Sequence, residues 1–342
     1  MMKYDPEIGT RYIPSLKVRV TGEKGGCLVR TNIAGFRSER EFLPGRTPKK
    51  LRALVFGDSQ TAGDGVTNSQ RFSDRIESKI PNLEVYNYGV SGTGPDQHFL
   101  SYKRHCNVEH DLVIIVVYVE NIRRVCRRVI EIQDGSGSPA FYAKPYFEYL
   151  DGKLEVRNIP VPKQIWSEQT LPDEYKSYVY SPHETNLFSQ VTGRKATAPR
   201  VPKALSPLRE FAKKFVLQLP SFSMLPEYND QRSSGWVLLR TILQEWITLS
   251  AVPVVLVTIP HYISFVSSRD PTRYRKRFRE LADATDCHLY DFLSDLPRSV
   301  DDRQQLWSNW SGHLSVSAHE LLADRLKPIV QKLLLSCQDA RS

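Results

Sequence analysis

At 342 residues the chain has room for one large α/β domain with an insertion, or for two domains. Its 40% apolar and 25% charged residues are those of an ordinary soluble globular protein. The net charge of +9 permits an anionic partner but is too modest to mark a nucleic-acid binder, and five scattered cysteines without a CxxC pair argue against a disulfide framework.

The N-terminus, MMKYDPEIGTRYIP, has no apolar h-region, so no signal peptide is expected. Residues 9–48 read as short strands and turns: LKVRVTG alternates, EKGG turns, and CLVRTN resumes extended structure. The first strongly apolar strand is LRALVFG from Leu51, followed by a helix through RFSDRIESKI. The strand LEVYNYG, a helix around PDQHFLSYKRHC and the strand DLVIIVVYV come next. LVIIVVYV has the length of a buried strand and falls far short of the roughly 18 residues that span a bilayer. Further on, WVLLRTILQEWITLS predicts a helix, VPVVLVTIP a strand, PTRYRKRFRELADATD an amphipathic helix, CHLYDFL a short strand and SVSAHELLADRLKPIVQKLLL the last helix. Alternating apolar strands and helices predict a three-layer α/β/α domain around a mostly parallel sheet. Ligands in such sheets sit at the carboxyl ends of the strands.

The alternation breaks between about 133 and 235. A GSGS turn is followed by PYFEYLDGKLEVRNIPVP, where Asp151-Gly152 separates two alternating runs and predicts a hairpin. A Pro- and Ser-rich passage with one helix around PLREFAKKFVLQL completes the interval. The expected organisation is a β-rich extension (1–48), a first core part (49–132), an insertion and candidate lid (133–235), and a second core part (236–342).

The chemistry centres on LVFGDSQTAGDGV, residues 54–66. Read locally, Gly57 makes a turn and Asp58 or Ser59 caps a helix. Read in context, Ser59 follows a buried strand at the carboxyl edge of the sheet, in front of a helix N-terminus whose N–H groups can meet an oxyanion. Three other stretches can complete a serine site. NYGVSGTGPDQ ends the second core strand with glycines whose N–H groups are sterically open. YVEN places Asn121 at the end of the third, with an amide to donate. WSGHLSVSAHELLADRL puts His313 in a loop before the last helix, where it can act as a general base.

In that order these blocks resemble the SGNH hydrolases, or GDSL-type esterases, over about residues 49–130 and 236–336. The resemblance implies a flavodoxin-like core, Ser59 as nucleophile and first oxyanion donor, Gly92 and Asn121 as the other donors, and His313 as base. VRTNIAGFRSEREF and DGKLEVRNIPVP are similar to a bacterial subgroup linked to polysaccharide modification. The implied reaction is hydrolysis of an O-acyl, in particular O-acetyl, ester on a carbohydrate, with no metal or organic cofactor. Rival readings are an O-acyltransferase using the same acyl-enzyme and a glycan-binding module with weakened catalysis.

Two departures stand out. The asparagine block usually reads Gly-x-Asn-Asp, whereas this chain has Val119-Glu120-Asn121-Ile122. The family carries an Asp two or three residues before the histidine, where this chain has Ser311 and Trp310. His313 would be oriented by a backbone carbonyl, by Ser311, or by Asp291, Asp301 or Asp302. Of RRVCRR at 123–128, Arg123, Arg124 and Arg127 form a candidate rim for an anionic substrate, against the plainer reading of a solvated helix face. The expected partner is a small-molecule or glycan ester, with no nucleic acid, no membrane and a cytoplasmic location. The sequence leaves the oligomeric state open. His319 reads as a residue of the last helix, and the cluster His105, Cys106, His110 lacks a matching ligand pair for a metal.

Overall fold

A computed structural model describes residues 1–22, 25–133, 138–176, 225–267 and 272–339. Residues 135–137 of the expected GSGS turn and the helix expected around 207–219 lie outside these residues, as does about half of the segment expected to form a lid.

Five parallel strands form the central sheet: β5 (Leu51–Phe56), β6 (Leu83–Asn87), β7 (Leu112–Tyr118), β13 (Val254–Ile259) and β14 (His288–Asp291). Their order is β14-β13-β7-β5-β6. Numbered by the core alone this is 2-1-3-4-5, so the chain reverses direction across the sheet between β5 and β7. Every residue of β7 and β13 is buried, as expected for inner strands covered on both faces. The short β14 is only partly buried, as befits an edge.

The pleat sends alternate residues to opposite layers. Leu54, Phe56, Val113 and Ile115 join one core with Phe99 and Tyr102 of helix α3 (Pro95–His105), Trp236 and Trp246 of the helix Ser234–Leu249, and Phe278 of Thr272–Thr285. Ala53, Val55, Ile114 and Val116 join the other with Phe72 and Ile76 of α2 (Phe72–Lys79) and Leu322 and Leu326 of the last helix, Val316–Asp339. The chain is therefore a three-layer α/β/α protein.

Before the sheet, β1 (Met2–Asp5) and β2 (Gly9–Tyr12) pair as one hairpin, and β3 (Lys17–Val20) and β4 (Cys27–Arg30) as another. After β7, antiparallel structure begins at Val129. Strands β8 (Val129–Gln133), β9 (Pro139–Ala143) and β12 (Ile165–Ser167) make one sheet, and β10 (Tyr146–Leu150) and β11 (Lys153–Arg157) a hairpin. Asp151 and Gly152 take φ of 49° and 79°, so the expected Asp-Gly turn is of the primed kind that matches strand twist. The insertion is pinned to the core by Lys144, whose buried ammonium contacts the Asp96 carboxylate at the start of α3 and donates to the Arg124 carbonyl. Among the described residues, no helix is long and apolar enough to cross a membrane.

Candidate active site

The sheet reverses where β5 and β7 part, and the carboxyl ends of these strands carry Ser59 and Asn121. Gly57 makes the turn after β5. A Cβ there would lie 2.0 Å from Thr61 Oγ1 and 3.1 Å from the Val116 carbonyl oxygen, so only glycine fits. Asp58 is the cap of the next helix, α1 (Ser59–Ala62): its Oδ1 accepts from the Gln60 N–H at 3.0 Å. Because Asp58 does the capping, the Ser59 hydroxyl is free for other work. The helix behind Ser59 is a single turn of four residues, closed by Gly63 in the left-handed region. The sequence suggests a longer helix with a useful dipole. The structure offers instead a tight turn whose first N–H, that of Ser59, has no acceptor among the described residues.

The turn after β6 is locked from below. Asn87 donates to the Thr61 carbonyl and Ser73 Oγ, each at 2.8 Å, and accepts from the Gly89 N–H. Ser91 bonds both carboxylate oxygens of Asp64, at 2.7 and 2.8 Å, and the Tyr12 hydroxyl at 2.5 Å. Buried Arg37 donates to the carbonyls of Gly63 and Val66, so the N-terminal extension braces the loop after α1. Gly92 follows Ser91 with φ of 79°, and nothing lies within 4 Å of where its Cβ would be. Its N–H also lacks an acceptor among the described residues.

Asn121 is fully buried at the end of β7. Its amide donates one N–H to Asp58 Oδ2 at 2.9 Å, which fixes the amide plane and leaves the second N–H available. Asp58 thus holds the serine turn with one oxygen and the asparagine with the other.

His313 arrives from the far end of the chain on β16 (His313–Leu314), paired with β15 (Trp307–Ser308). The neighbouring Leu314 N–H donates to Gln60 Oε1 at 2.9 Å. The residue after the serine therefore holds the residue after the histidine. His313 Nδ1 lies 2.5 Å from the Ser311 carbonyl oxygen. A carbonyl only accepts, so Nδ1 carries the proton and Nε2 keeps the lone pair that a base needs. Of the orienting groups left open by the sequence, the structure supplies the backbone carbonyl. The Ser311 hydroxyl is buried and has no partner among the described residues. Asp291 instead binds Thr258, Tyr274 and Arg275. Asp301 and Asp302 are exposed in the first turn of the short helix Val300–Gln304. Trp310, three residues before His313, is 51% exposed and covers Gly22.

The three arginines of the expected rim differ. Arg123 is only 10% exposed, its Nε 3.1 Å from Glu227. Arg127 is half-buried. Arg124 is 31% exposed and donates from Nη1 to the Thr93 carbonyl at 2.8 Å and to Asp58 Oδ2 at 3.4 Å. A continuous exposed rim is therefore not what these side chains form.

The sequence did not single out the fourth strand end. His261, just past β13, is buried, with Nε2 3.5 Å from Glu120 and Nδ1 accepting from the Ile263 N–H. Both ring nitrogens face internal partners, so this histidine shapes the wall beside Asn121 and is not a free base. Burial pushes its pKa down, with Glu120 opposing. The only sequence signal for it was a His directly after an apolar strand. His319 is fully buried and caps α2, accepting the Phe72 N–H at 3.2 Å on Nδ1. His105 stacks on Tyr88, and His110 lies 2.6 Å from the Val108 carbonyl oxygen. Among the described residues, no three His, Cys, Asp or Glu side chains are grouped to hold a metal.

No family model matches the chain, and no curated protein does. Solved structures similar to it include a member of the lipolytic protein G-D-S-L family from Veillonella parvula, at 11% identity and a TM-score of 0.43, covering 83% of this chain and 100% of that one. Another is the lipase/acylhydrolase from Enterococcus faecalis, at 14% identity and a TM-score of 0.40, covering 81% of this chain and 96% of that one. Likeness at this level carries no functional argument; the arrangement of the side chains has to do so.

Proposed function

We propose that the protein is a serine ester hydrolase of the SGNH type, acting on O-acyl and in particular O-acetyl esters of a carbohydrate. The observation that carries this reading is the Gln60–Leu314 hydrogen bond, which ties the serine turn to the histidine strand across 254 residues of sequence. The tautomer of His313, fixed by the Ser311 carbonyl, supports it, as do two unclaimed backbone N–H groups and the half-committed Asn121 amide.

In this mechanism Ser59 Oγ attacks the ester carbonyl and His313 Nε2 takes its proton. The N–H groups of Ser59 and Gly92 and the Asn121 side-chain amide receive the oxyanion. The alcohol leaves with the proton from His313, and water, deprotonated by the same nitrogen, releases the acid. A carbonyl orients the imidazole but brings no full negative charge to stabilise the imidazolium, so slower turnover than from a carboxylate triad is expected. The carbohydrate rests on the sequence resemblance alone. Transfer of the acyl group to a sugar hydroxyl would use the same intermediate, and mass spectrometry of a glycan incubated with an acyl donor distinguishes the two.

The test is a serine-reactive fluorophosphonate together with hydrolysis of an activated acetyl ester. Labelling of the wild type at Ser59, and a loss of about a thousandfold or more in kcat for Ser59→Ala, are expected. An unlabelled Ser59, with Ser59→Ala as fast as wild type, would leave a binding module.

A further inference from the structure

Resting on that reading, the geometry points to Arg124 as a carboxylate receptor beside the scissile ester, so that the preferred substrate is an ester carrying an acid group a few bonds from its carbonyl.

Several cations near the site are matched by a nearby acid. Arg123 has Glu227 at 3.1 Å, Arg128 has Glu148 at 2.7 Å, and Lys144 is buried against Asp96. Arg124 has only Asp58 as an acidic contact among the described residues, at 3.4 Å. That carboxylate is already shared, because Asn121 occupies the same oxygen and the Gln60 N–H the other. Glu120 also feels the Arg124 charge, but neither it nor Asp58 bonds the Nε–Nη2 edge.

Its donors are divided in a telling way. Nη1 makes both contacts, to the Thr93 carbonyl and to Asp58. Nε and Nη2 have no acceptor among the described residues and are not sealed from solvent. The Nε–Nη2 edge is one that takes a carboxylate in a two-bond fork. Its position is set by the oxygen it shares with Asn121. Contacts of 3.4 and 2.9 Å to one Asp58 oxygen place Arg124 Nη1 no farther from the Asn121 amide nitrogen than their sum. Thr93, on its other side, is the residue after Gly92. Nη1 is thus anchored beside both groups proposed to hold the oxyanion, and the Nε–Nη2 edge of the same guanidinium is left uncommitted.

The carboxylate can belong to the alcohol part, as in an acetylated sugar acid, or to the acyl part, as in a succinyl half-ester. The experiment pairs each with the same ester methylated at the acid: an acetylated sugar acid against its methyl ester, and mono-p-nitrophenyl succinate against its methyl ester. The expected result is a preference of about tenfold or more in kcat/KM for the acid form in one pair, falling with added salt. Arg124→Gln should abolish that preference mainly through KM, and Arg124→Lys should keep part of it. Because Arg124 also steadies Asp58 and Thr93, rates for both members of a pair will fall, and the ratio within a pair is the reading. No preference in the wild type, or the same ratio in Arg124→Gln, overturns the proposal. Equilibrium titration of Ser59→Ala with the acetylated sugar acid, the succinate and their methyl esters reads the preference without chemistry. Failure of ester hydrolysis then remains separate from failure of anion recognition.

Discussion

At the scale of single residues, the site turns on a histidine oriented without a carboxylate. Replacing the triad Asp by Asn in a well-studied protease costs about ten-thousandfold, but much of that loss reflects the wrong tautomer. Here the Ser311 carbonyl already enforces the right one. Restoring an acid should therefore recover only the electrostatic part. Trp310→Asp places a carboxylate three residues before His313, at a position already half exposed. We expect kcat to rise about ten- to a hundredfold on an acetyl ester; steady-state kinetics showing no gain would mean that the carbonyl suffices. The sequence revealed that the acid was missing and offered a backbone carbonyl among several stand-ins without choosing between them. A backbone carbonyl has no residue identity, so no pattern of letters can single it out. The arginines were obscured for a related reason: Arg123 is neutralised by Glu227, 104 residues away, and such pairings exist only in three dimensions.

At the scale of elements, the sheet was largely legible. Continuous apolar runs such as LVIIVVY marked the inner strands, and Asp151-Gly152 marked the hairpin. The length of α1 was not, because its end is set by Gly63 and by Arg37 reaching in from the N-terminal extension. The end of β13 was overlooked because a lone His after a strand carries no motif. The turn carrying Gly92 has a sharp expectation attached. Gly92→Ala meets no atom within 4 Å but must hold φ of 79°, a cost of about 1 kcal/mol. The fold should survive with a small drop in Tm, while kcat falls at least tenfold as the N–H shifts from the oxyanion. Equal losses in the stability and the activity of this variant would show that Gly92 serves only the turn.

At the scale of the whole molecule, several histidines are buried in their neutral form. Burial, with Arg71, Arg37 and Arg75 adding repulsion, pushes His319 down to about 3, and burial with Arg104 pushes His105 down to about 4. Between the ordinary value near 6.5 and these values, the unfolded chain takes up protons that the folded chain refuses. The stability that neutral histidines contribute is complete above about pH 6.5 and declines as the pH falls toward 3, by on the order of a few kcal/mol. His319→Gln keeps an acceptor for the Phe72 N–H but does not titrate. Its Tm should fall less steeply between pH 6.5 and 4 than that of the wild type, and an unchanged slope would assign the acid sensitivity elsewhere.

The bond between Gln60 and Leu314 also says something about how the protein is made. Ser59 leaves the ribosome early, and all five strands of the sheet are complete by Asp291. His313, the proposed base, is translated later, and its strand is tied to the serine turn by the Leu314–Gln60 hydrogen bond. A chain stalled or cleaved before that point lacks His313 and also the last helix that covers one face of the sheet, so on the proposed mechanism it would be chemically silent. The proposed nucleophile and base would therefore become partners only when the C-terminal end of the chain is in place.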